Sequence, residues 1–129
     1  MQRVTRPSGV GFHLWHNYYS LSGGHVPDEL SLACSWGHLL GEPAVDKWLK
    51  LSGTYFNKKL PDEMVGSLSK YFMELRTDKR DAKNRREGVD PGYEPEGAEL
   101  MTPEIERLLA RYPREVLLTR AYSFIGTRK

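Results

Sequence analysis

From Pro61 onward, apolar residues return at intervals of three and four: Met64, Val65, Leu68, Tyr71, Phe72 and Leu75. That is the stripe one face of an α-helix presents to a core. Beyond Arg76 the stripe stops, and nearly every position to Glu87 is charged or polar before Gly88. The pattern predicts one helix whose second half projects into solvent or docks on another molecule. Proline followed by acids marks helix starts at Pro27-Asp28-Glu29, Pro61-Asp62-Glu63 and Pro103-Glu104. Proline tolerates the first helical position because that amide has no intrahelical partner, and early carboxylates complement the positive end of the helix dipole.

By the same reading, a helix runs from Pro27 through Leu30, Ala33, Cys34, Leu39 and Leu40 to Gly41. A shorter one runs from Pro43 through Val45, Trp48, Leu49 and Leu51 to Gly53. Thr102 caps a fourth, with Ile105, Leu108, Leu109 and Tyr112 on its buried face. Pro113 separates it from a last helix carrying Val116, Leu117, Ala121, Phe124 and Ile125. The fold class expected is mainly α, a small irregular helical domain of about five helices with an extended N-terminal segment. Residues 1–26 form an aromatic and histidine-rich segment, 27–87 a helical core ending in the charged helix, 88–102 a Pro/Gly/acidic arm, and 103–129 a helical pair.

Length agrees with one domain, since 129 residues lie within the usual span of about 100 to 150. An apolar share of 39% makes the expected core thin, and a net charge of +2 gives no global field to attract nucleic acid. The longest stretch without Asp, Glu, Lys or Arg, Pro7 to Pro27, holds His13, His16, Asn17 and His25. Burying those groups in lipid is too costly for a membrane span. The single cysteine, Cys34, cannot close an internal disulfide and suits a reducing compartment. The location expected is intracellular, in the mitochondrion or the cytoplasm.

Candidate chemistry gathers at two places. All four histidines lie in the first 38 residues, and His13-x2-His16 with Cys34-x3-His38 offers two ligand pairs of the type zinc accepts. Against that stands the shortage of cysteine, and the neighbours Phe12, Trp15, Tyr18, Tyr19 and Trp36 read equally as an aromatic cluster that includes the histidines. The same cluster could supply a histidine base oriented by Asp28 or Glu29, or Cys34 as a nucleophile. No phosphate loop, nucleophile elbow or paired-carboxylate motif accompanies it. The second place is the run Arg76, Lys79, Arg80, Lys83, Arg85 and Arg86, followed by acids that include Glu94 and Glu96. Alternating sign suits a protein partner, where complementary charge sets register.

The function expected is that of a noncatalytic accessory or scaffold subunit of a large multisubunit assembly, such as a respiratory-chain or other membrane-associated complex. It would sit peripherally, needing no cofactor and binding neighbouring protein subunits through the arm and the charged helix. A small zinc-binding module and a small enzyme, both using the N-terminal cluster, are the rivals.

Overall fold

Ala121–Arg128 (AYSFIGTR) is rich in aromatic and branched residues and forms a strand, where a helix was expected. The computed structural model describes residues 6–80 and 97–129. Within them, strands β1 (Val10–His16), β2 (Phe72–Arg80) and β3 (Ala121–Arg128) form one antiparallel sheet in the order β1-β3-β2. Val10 stands opposite Thr127 and His16 opposite Ala121 on one side of β3. On the other, Phe72 pairs with Arg128 and Arg80 with Ala121, with an irregularity between Glu74 and Arg76.

Six short helices accompany the sheet among the described residues: α1 (Asp28–Ala33), α2 (Gly37–Leu40), α3 (Pro43–Ser52), α4 (Pro61–Ser69), α5 (Pro103–Leu108) and α6 (Arg114–Leu117). The fold is therefore mixed α/β, and the mainly α, all-helical expectation is corrected at three points. The extended N-terminal segment contributes a strand. The charged helix expected from Arg76 is β2 as far as Arg80, because the stripe breaks at Tyr71 and the chain turns back along β3. The last helix ends at Leu117, and its continuation is β3.

Proline does open α3, α4 and α5, and the Leu60 N–H donates to the Glu63 carboxylate at 2.7 Å while Thr102 Oγ1 accepts from the Ile105 N–H. The helix expected from Pro27 to Leu40 is two helices. It breaks where Trp36 takes a left-handed backbone, φ 53°, a conformation that costs a non-glycine residue about 1 kcal/mol or more. Burial compensates, for Trp36 is fully enclosed and its indole N–H donates to the Leu117 carbonyl at 3.1 Å.

Two apolar cores result. Under the sheet, Trp15, Phe72, Tyr122 and Phe124 meet Met64, Val65 and Leu68 of α4, so the stripe seen in the sequence packs on strands. Beside it, Trp36, Tyr19, Met101, Leu109, Leu117 and Leu118 form the second. Asn17 joins them. It is buried at the end of β1, its Nδ2 donating to the carbonyls of Val116 and Thr119 at 2.7 and 2.6 Å, its Oδ1 accepting from the Tyr19 N–H.

Removing that amide takes a donor from two carbonyls, of which Val116 keeps the Thr119 N–H at 3.4 Å, so Asn17→Ala is expected to lower stability by about 2 to 4 kcal/mol, read from the urea midpoint. Leu51→Ala, at an exposed position of α3, should stay within about 0.5 kcal/mol of the parent.

Candidate functional site

Residues directly opposite in an antiparallel pair project to the same side of the sheet. Val10, Thr127 and Met73 therefore form one row across all three strands on the face away from α4. Phe12 with Ile125, and Leu14 with Ser123, form the next two. On this face Val10 is 64% exposed, Phe12 56%, Leu14 46% and Met73 57%, which makes an apolar strip open to solvent. Strand β1 is apolar on both faces. Val10, Phe12 and Leu14 face out, while His13, only 9% exposed, lies inside with Trp15. His13 meets the rings of Phe72 and Phe124 edge-on at 5.1 and 6.1 Å, and its Nε2 has no hydrogen-bond partner among the described residues.

The backbone of β1 is just as asymmetric. The Gly9 carbonyl accepts from the Arg128 N–H and the Asn17 N–H donates to the Arg120 carbonyl, both at 2.9 Å. Odd-numbered residues thus pair with β3, and the amide and carbonyl groups of Val10, Phe12 and Leu14 point to the far edge. Among the described residues no strand lies along that edge. The other edge is guarded differently, since β2 carries Glu74, Arg76, Asp78, Lys79 and Arg80, whereas β1 carries no Asp, Glu, Lys or Arg.

His13 stands apart, whereas His16, His25 and His38 share one cluster of rings with Tyr18 and Phe56. His16 touches His25 at 5.1 Å between ring centroids, His25 touches Phe56 at 5.6 Å, and Tyr18 bridges Phe56 and His38 at 5.4 and 5.1 Å. A Cβ on Gly24 would lie 2.5 Å from His16 Cβ, so glycine is what lets this loop close against the strand. His38 Nε2 lies 2.6 Å from the Tyr18 carbonyl. Because a carbonyl can only accept, the neutral ring carries its proton on Nε2. Burial lowers the His38 pKa to about 4, the carbonyl bond opposing, and burial lowers His13 as well.

Of the suggested zinc set, His13 lies beneath the sheet, His16 sits against His25, Cys34 is the half-buried free thiol at the end of α1, and His38 bonds Tyr18. Among the described residues no three His, Cys, Asp or Glu side chains are placed to hold a metal ion. His25, which the two spaced pairs leave out, is the one that meets another histidine. Of the suggested interaction residues, Arg76, Lys79 and Arg80 lie on β2, and Lys83, Arg85, Arg86, Glu94 and Glu96 lie outside the described residues. The exposed strip of Val10, Phe12, Leu14 and Met73 was not singled out from sequence, although period-two spacing at 10, 12 and 14 was its signal.

No helix among the described residues is long and apolar enough to cross a membrane. Compared with protein-family models, curated proteins and solved structures, the chain matches none.

His38 sets a pH dependence. Above its unfolded value of 6.5 the ring is neutral folded and unfolded, and this group adds no pH dependence. Between 6.5 and about 4 only the unfolded chain takes up the proton, so stability should fall, by about 3 kcal/mol from this group, and level off below. Urea titrations at pH 7 and pH 4 measure the fall, and His38→Gln should remove most of it.

Proposed function

We propose that this chain is a noncatalytic, protein-binding subunit of a larger assembly, and that it docks on a neighbouring protein through the outer face of its sheet. The observation that carries the reading is the strip formed by Val10, Phe12, Leu14 and Met73, four apolar side chains left in water on one face of a three-stranded sheet. Such side chains gain free energy when a partner covers them, at about 25 cal/mol per Å² of apolar surface buried. The surroundings fit a docking face. The sequence of β2 carries five charged residues among nine, and complementary charge on a partner would suit a sheet with such a strand. Helix α4 packs on the inner face of the same sheet, so a partner would pack on the outer one.

The reading is tested by isolating the tagged full-length chain from native extract and following the proteins that co-elute by size exclusion. A defined partner protein should accompany the parent chain. Phe12→Lys and Met73→Lys should each reduce its recovery by about tenfold or more, as loss of a buried anchor does, while leaving the melting temperature unchanged. A chain that elutes alone, or a partner retained by both variants, contradicts the reading.

A further inference from the structure

We propose that the open edge of β1 pairs with the same edge of a second copy of this chain, antiparallel about a two-fold axis at Phe12, to give a continuous six-stranded sheet. The inference rests on the sheet being the docking element and names one of its occupants. It begins from the difference between the two edges. β2 has five charged residues among nine, which is how native sheets keep foreign strands away. β1 has seven residues with no proline and no Asp, Glu, Lys or Arg, and it turns the amides and carbonyls of Val10, Phe12 and Leu14 outward. An edge of that length, with no charge or proline in its sequence and no strand along it among the described residues, is a template for strand addition.

Charge and register select a second copy. An uncharged edge offers nothing to pair with a charged strand, and the partner that fits is neutral and apolar at alternate positions. β1 itself has that composition. Centring the axis on Phe12 sets Phe12 opposite its own copy and Val10 opposite Leu14, so these central outward-facing pairs are apolar, His16 falls opposite Ser8 beyond them, and no like charges meet. Parity also agrees. Even-numbered residues would pair with even-numbered residues, and these are the ones whose hydrogen-bonding groups face the open edge. The odd-numbered set remains committed to β3. Helix α4 packs beneath β2 and β3, away from the edge that must be free. A symmetric pair of this kind is isologous and closes on itself, so it ends at a dimer, the charged β2 edges lying at its two ends. The apolar strip then runs unbroken across both copies, which doubles the face available to the docking partner.

The experiment uses the purified full chain alone, so its outcome is independent of whether extract contains a partner. Sedimentation is followed from about 10 μM to about 1 mM, the range in which small interfaces associate. Amide exchange is measured at both ends of that range. The expected result is a monomer at low and a dimer at high concentration. The amides of Val10, Phe12 and Leu14 should exchange at least about tenfold more slowly in the dimer, while those of β3 are protected throughout. Phe12→Lys and Leu14→Lys should stay monomeric with β3 still protected, and Leu51→Lys on α3 should dimerise like the parent. A monomer across the whole range overturns the proposal. So does a dimer in which the three amides exchange at the dilute rate, or one that survives both lysine substitutions. A chain that is monomeric alone yet still captures a partner through Phe12 and Met73 would remove the dimer and keep the docking face.

Discussion

Strand β3 touches both other strands, and they do not touch each other, so every part of the sheet depends on β3 being in place. Its partners come from residues 10–16 and 72–80, which makes the sheet a product of long-range pairing. Such pairing must close long loops before it gains any contact energy. What holds β3 there is a combination of side-chain burial and a lack of space. Phe124 is fully enclosed among Trp15, Phe72 and Tyr122, and a Cβ on Gly126 would lie 2.6 Å from the Phe124 ring and 2.9 Å from the Met73 carbonyl. Asn17 and Trp36 then bind the α6 end of β3 to the second core through the carbonyls of Val116, Leu117 and Thr119.

The exposed face and the open edge follow from this arrangement. With α4 on one side of the sheet, the outer residues Val10, Phe12 and Leu14 of β1 stay exposed among the described residues. The division of β1 is unusual, because a histidine is enclosed beside Trp15 while valine, phenylalanine and leucine are in water. Placing His13 inside leaves its Nε2 without a partner among the described residues, a cost that a simple exchange of the inner and outer residues would avoid. That cost, together with an unprotected edge, is what gives β1 the character of a binding element.

Much of the helical structure was legible because its signals are local. Proline at the first turn, Thr102 as a cap, and Gly41 and Gly53 in left-handed closing positions mark boundaries without reference to the rest of the chain. The stripe of α4 was legible too, but its packing partner was not, since Met64, Val65 and Leu68 would suit a helix or a sheet equally. The strands were hidden for specific reasons. β3 is buried on both sides along much of its length, and its near-continuous apolar run satisfies a helical period as well as a strand's. In β1 one of the two buried positions, beside Trp15, holds histidine, so the alternation reads as partly polar on the enclosed side. At the candidate site, the histidines stood out by their clustering, whereas Val10, Phe12 and Leu14 gained meaning only once the sheet showed which side they face.

The most direct test of the account is the pattern of short proton distances in residues 121–128 by NMR. In the register described, Phe12 faces Ile125 and Leu14 faces Ser123 in pairs that do not exchange hydrogen bonds, where Cα atoms approach to about 4.5 Å. Strong Hα–Hα contacts between Phe12 and Ile125 and between Leu14 and Ser123 are predicted. Their absence, with strong sequential amide–amide contacts from Ala121 to Ile125, would mean a helix there and would contradict the sheet on which the docking face and the edge depend.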